Sequence, residues 1–160
     1  MKRQNLSFTP GTVVCELDST KKYDAIHELI GKAPVFQDFS DPVAFETSVI
    51  QREKAQSTGY GKGVAFAHGR ADERDGFIIA LGISKRGIEW DSIDGQPVHL
   101  LFIIASNPSR KLEYLIALSA LAELVRNDSF RSRLIQGGCI GRAEKLLFDA
   151  FNDSFAMKTA

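Results

Sequence analysis

His68 is the residue on which chemistry could turn. It closes a short apolar run, Val64-Ala65-Phe66-Ala67, and Gly69 follows it. Such a run reads as a short buried strand, so the imidazole is held by a rigid element yet can reach the surface. Neutral imidazole is the side chain best suited to nucleophilic work near pH 7. Just upstream lie Ser57-Thr58-Gly59 and two more glycines, Gly61 and Gly63. Glycine loosens the backbone and lets it approach a ligand closely. A charged helical segment with Arg52, Glu53 and Lys54 leads into this loop. Arg52 falls near the end of that helix, where the helix dipole alone favours a cation. It can serve there as a helix terminus or point into the loop.

The same stretch resembles the fructose/mannitol-type enzyme IIA domain of the bacterial phosphoenolpyruvate-dependent phosphotransferase system. The matching residues are Arg52-Glu53-Lys54, Ser57-Thr58-Gly59-Tyr60-Gly61 and Gly63-Val64-Ala65-Phe66-Ala67-His68-Gly69. The spacing from arginine to histidine is the family's. Phe66-Ala67 stands where the family has Ile-Pro, which changes local stiffness and leaves the nucleophile in place. A second block, Ile93-Asp94-Gly95-Gln96-Pro97-Val98-His99-Leu100-Leu101-Phe102, is similar to the family's D-G-x-P-V-D-L-L-F run. The resemblance extends over most of the chain, read as one IIA-like domain of residues 1–160.

The resemblance implies a phosphoryl carrier. His68 would accept a phosphoryl group from an HPr-like phosphocarrier and pass it to a IIB component. The alternative is the nitrogen-regulatory branch, in which phosphorylation switches binding to a regulated target protein. Catalysis of this kind is mostly positioning and charge stabilisation. Ser57, Thr58 and the loop amides would bind the phosphoryl oxygens as neutral donors, and Arg52 as a planar charged one. Lys111 stands where the family often carries a second histidine, and it would act as a counter-charge. The ring also needs a partner that fixes its tautomer, and the sequence names none. No cofactor is implied.

The other two histidines offer less. His27 sits between the apolar positions of a helix with no partner of ligand type nearby. His99 opens a strand at a position where the family has aspartate, which favours a bonded structural role. No cluster of His, Cys and Asp has the spacing of a metal site. Cys15 and Cys139 have no C-x-x-C spacing, and Cys15 reads as a small core residue.

The elements that must position the site follow from periodicity. Residues 77–83 and 98–105 are near-continuous apolar runs, which predicts strands covered on both faces. Residues 12–17 read as a further strand. Asp18-Ser19-Thr20 can cap a helix carrying Tyr23, Ile26, Leu29 and Ile30, with Gly31 at its end. Residues 34–39 read as a connector. Asp41-Pro42 reads as an N-cap with proline in the first turn of a helix to about Lys54. A helix after Asn107-Pro108-Ser109 places Leu112, Leu115, Ile116, Ser119 and Ala122 on one face. Short helices over 130–135 and 142–151 complete the chain, with a frayed tail over 152–160. The expected fold is three-layer α/β, a small mixed sheet of four or five strands with helices on both faces.

Composition sets the frame. The chain has 160 residues, 44% hydrophobic and 25% charged, as suits a soluble globular domain. Twenty basic residues balance twenty acidic ones, which gives no support to nucleic-acid binding or attraction to an anionic membrane. No apolar stretch approaches the ~20 residues of a membrane helix, and no secretion signal is read at the start. The expected location is the cytoplasm with reduced thiols.

Overall fold

The computed structural model describes residues 13–14, 16–73, 77–137 and 140–159. Cys15 and Cys139 lie outside the described residues. Element order is β1 (Val13–Val14), α1 (Lys22–Lys32), α2 (Pro34–Gln37), α3 (Pro42–Ala55), β2 (Gly59–Gly61), β3 (Val64–Arg70), β4 (Phe77–Ile88), β5 (Val98–Ser106), α4 (Lys111–Val125), α5 (Asp128–Gln136) and α6 (Ile140–Thr159). A 3-10 turn, Pro108–Arg110, opens α4.

The sheet is mixed, in the order β1-β4-β5-β3-β2. β4 and β5 pair antiparallel, while β3 joins β5 in parallel, so His68 lies opposite Ile104. Alternation along the strands divides the core in two. Ala65, Ala67, Leu101, Ile103 and Ala105 pack under α1, α2 and α3. Val64, Phe66, Leu100, Phe102 and Ile104 pack under α4, α5 and α6. Both faces are therefore covered, and the two apolar runs are the central strands. Each fully buried Val, Leu, Ile or Phe among them contributes about 1.5–3 kcal/mol.

Local signals explain most boundaries. Asp41 caps α3 by accepting the Ala44 amide at 3.0 Å, with Pro42 in the first turn. Asn107 does the same for Ser109 ahead of α4. The start of α1 differs from expectation. Its N-cap is Lys21, which makes no side-chain cap. The Asp18 and Ser19 amides instead donate to the Glu28 carboxylate at 2.9–3.0 Å, which also takes Lys32 at 2.6 Å. The connector after Ala33 contains the one-turn helix α2. Its Phe36 joins Phe39 and Phe45 in a ring cluster.

Two further readings change. The core face of α4 is Ala117, Ala120, Leu121 and Val125, while Leu112 and Leu115 are exposed. Apolar residues lie on nearly every side of this helix, so spacing alone misassigns the face. α6 continues to Thr159, where a frayed tail is expected. Phe155 stacks on Phe151 and is buried, which extends the helix. No described helix is long and apolar enough to cross a membrane.

Candidate functional site

The site begins with the end of β3. His68 has the parity of Val64 and Phe66 and so faces α4. It is half-buried, and its ring lies 5.7 Å from the Tyr114 ring of α4. β2 pairs with β3 only at Val64 and Ala65. The Phe66 amide then donates to the Thr58 carbonyl at 3.2 Å, and the edge is open beyond it. There the His68 ring folds back, and its Nδ1 lies 3.3 Å from the Phe66 carbonyl oxygen. A carbonyl can only accept, so Nδ1 carries the proton and Nε2 keeps its lone pair. Burial, aided by the Arg52 charge, pushes the His68 pKa below its ordinary value, against the Phe66 bond and Glu53. The imidazole is therefore neutral at pH 7.

Gly69 brings α3 to this point. A Cβ on Gly69 would lie 2.6 Å from Ser48 Oγ and Val49 Cγ2 and 2.8 Å from Phe45 Cε2. Only glycine allows that approach. Phe45, Ser48, Val49 and Arg52 share one face of α3 by their spacing. The contact at Gly69 thus sets how near Arg52 comes to the site.

Arg52 is half-buried and donates from Nη1 to the Gln56 carbonyl at 2.9 Å. Arg52, Ser57, Thr58, Phe66 and His68 line one cavity of about 500 Å³. Tyr60, Ile93, Leu115 and Leu118 form its apolar rim. Burial raises the Tyr114 pKa, with Arg52 opposing, so its phenol stays protonated. The turn from β2 to β3 has positive φ at Gly61, Lys62 and Gly63. Asp94 accepts the Lys62 amide at 2.8 Å and closes this turn. Two of the loop glycines therefore serve the turn.

The two loop hydroxyls differ. Ser57 Oγ accepts from the Gly59 amide at 3.2 Å, and its own proton remains available. Both Thr58 donors go to Glu53: the amide at 2.9 Å to Oε1, and the hydroxyl to Oε2. Lys111 is exposed on the first turn of α4, one turn before Leu115, and is not among the cavity-lining residues. His27 is exposed, with Nδ1 2.7 Å from Glu46 Oε1. The His99 Nδ1 lies 2.8 Å from the Ser84 carbonyl, and its ring packs beside Gly63 and Gly87. Among the described residues, no group of three or more His, Cys, Asp or Glu is placed to hold a metal ion.

Glu53 and Tyr114 are the residues that sequence reasoning left without a role. Glu53 adjoins Arg52 within the matching Arg52-Glu53-Lys54 block, and that is its sequence signal. Tyr114 sits inside an apolar helix pattern and gives no signal.

A neutral imidazole with one free nitrogen, lining one cavity with a guanidinium and a free hydroxyl, can act as a nucleophile toward an anionic group. Residues 7–140 match the family described as phosphoenolpyruvate-dependent sugar phosphotransferase system, EIIA 2. The chain belongs to that family, whose EIIA domains are phosphoryl carriers. It is 31% identical over 145 residues to the PTS system fructose-specific EIIABC component of Bacillus subtilis, covering 91% of this chain and 22% of that protein. The chain thus spans under a quarter of that relative. It is 30% identical over 125 residues to a nitrogen regulatory protein of Bradyrhizobium diazoefficiens, covering 78% of this chain and 81% of the relative. Among solved structures, nitrogen regulatory protein IIA-Ntr of Neisseria meningitidis superposes with a TM-score of 0.76 at 27% identity. That match covers 86% of this chain and 93% of the other.

Proposed function

We propose that His68 is the phosphoryl-accepting residue and that Nε2 is its reacting atom. The observation that carries this is the contact of Nδ1 with the Phe66 carbonyl. The Nε2 lone pair attacks the phosphorus of a phosphohistidine on an HPr-like donor. The new N–P bond forms as the donor's N–P bond breaks, and the donor imidazole leaves with its electron pair. The proton on Nδ1 stays throughout, held by Phe66. The phosphorylated ring then carries positive charge and leaves as neutral imidazole in the next transfer, to a IIB component. Arg52 and the Ser57 hydroxyl bind the phosphoryl oxygens. Lys111 lends longer-range positive charge, and Thr58 shapes the loop.

A second reading rests on the relatives themselves. The chain is 30% identical to a nitrogen regulatory protein as well as 31% identical to a fructose-specific component. It acts in the cytoplasm either as the transport carrier or as a regulator whose target binding follows the phosphorylation state. Incubation with enzyme I, HPr and phosphoenolpyruvate, read by intact mass, tests the nucleophile. One acid-labile, base-stable phosphoryl group is expected on the wild type and none on His68→Ala. Full labelling of His68→Ala would refute the assignment.

A further inference from the structure

Glu53 lies on α3 beside Arg52, yet its side chain is fully buried. Its Oε1 takes the Thr58 amide and, at 3.1 Å, the Lys22 ammonium from the start of α1. Its Oε2 takes the Thr58 hydroxyl. Lys22 is nearly buried itself, and its Nζ also stands 5.1 Å from the centre of the Trp90 ring. The Thr58 carbonyl accepts from the Phe66 amide, and the Phe66 carbonyl faces His68 Nδ1. One continuous chain of polar contacts thus runs from Lys22 through Glu53, Thr58 and Phe66 to the imidazole.

We infer that Glu53, neutralised by Lys22, is a positioning residue for phosphoryl transfer that fixes Thr58 and thereby the loop and strand edge at His68. The inference rests on His68 being the nucleophile. Two physical points support it. A buried ion pair is a poor device for stability alone, since apolar residues of the same volume often do as well or better. Its presence beside the site therefore points to geometry. Thr58, with both donors spent on Glu53, has no proton left for a phosphoryl oxygen, so its contribution to the site is placement. Lys22 has a second task. An unneutralised carboxylate here would repel an incoming phosphoryl dianion, and pairing removes that repulsion while Arg52 keeps the cavity cationic.

The test uses Glu53→Gln, Thr58→Val and the double variant. Acceptance from phospho-HPr is followed by rapid quench, and the Thr58 amide and His68 ring are followed by nitrogen-15 NMR. Glu53→Gln is expected to slow acceptance about 10- to 100-fold, as loss of alignment does, with circular dichroism unchanged. Thr58→Val should give a similar loss, and the double variant should be little slower than either single one. The Thr58 amide should move upfield. The His68 titration midpoint should fall, because losing the carboxylate turns the neutral Glu53–Lys22 pair positive and disfavours the protonated ring. Wild-type acceptance by Glu53→Gln, or additive losses, would overturn the positioning role and leave His68 as nucleophile. If even the wild type takes no label, the His68 reading fails. The NMR arm then decides the connection by itself: shifted Thr58 and His68 signals support it, and unmoved ones refute it.

Discussion

The Nδ1 atom of His68 stands 3.3 Å from the carbonyl oxygen of Phe66, two residues earlier on the same strand. That carbonyl is free because β2 ends at the level of Val64 and Ala65. A short strand thus fixes which nitrogen of the proposed nucleophile is available.

The pH dependence follows. Burial holds the His68 pKa below its ordinary 6.5. Between the folded value and 6.5 the unfolded chain binds more protons than the folded one, so stability rises with pH in that window. The contribution is complete above about 6.5 and is lost as the pH falls toward the folded value. Phosphoryl acceptance should stay level as pH is lowered through 6.5 and decline only at the folded pKa. Nitrogen-15 NMR of the ring should find the Nδ1–H tautomer at pH 7. An Nε2–H tautomer, or a rate that falls with a midpoint at or above 6.5, would contradict this.

Gly69→Ala tests the close approach of α3. The new methyl would meet Ser48, Val49 and Phe45 well inside contact distance. Overpacking of this sort costs about 1–3 kcal/mol, readable by urea unfolding. The displaced helix carries Arg52, so acceptance should also slow in protein that is still fully folded. A folded Gly69→Ala protein with wild-type rates would mean that Arg52 is set in place by something other than this contact.

Glu28 should govern acid stability. Burial would raise its carboxyl, but bonds from Lys32 and from the Ser19 and Asp18 amides hold it down at about 2, against an ordinary 4.5. A depressed carboxylate contributes stability that is complete above the unfolded pKa and is lost as pH falls toward the folded one. Glu28→Gln should therefore cost about 2 kcal/mol at pH 7. The penalty should shrink steadily from pH 4.5 toward pH 2. A penalty that does not change with pH would show that the carboxylate charge plays no part.

Much of this was legible in the sequence because it depends on local pattern. The central strands announced themselves as apolar runs that need cover on both faces. Asp41-Pro42 marked a helix start by chemistry confined to a few residues. The α4 face was not legible, because leucine, isoleucine and alanine occupy nearly every side of that helix. The Lys22–Glu53 pair was hidden for another reason: its members lie 31 residues apart, and nothing in either neighbourhood signals the other. The two loop hydroxyls looked alike as donors. Only the fold separates Ser57, whose proton is free, from Thr58, whose proton is taken. For α6, Phe155 lies one turn beyond Phe151, a cue that extends the helix past the expected fray.

The open edge of β3 has a consequence for association between molecules. Unpaired strand edges invite a strand from another chain. Here two side chains occupy that edge: His68 engages the Phe66 carbonyl, and Ser48 Oγ accepts the Arg70 amide at 3.1 Å. An intruding strand would have to strip the imidazole from Phe66, and with it the proton arrangement that keeps Nε2 reactive. On the proposed role of His68, pairing through this edge would compete with the Nδ1–Phe66 contact that leaves Nε2 unprotonated, and a molecule primed for transfer would by that fact be guarded against sheet-to-sheet polymerisation.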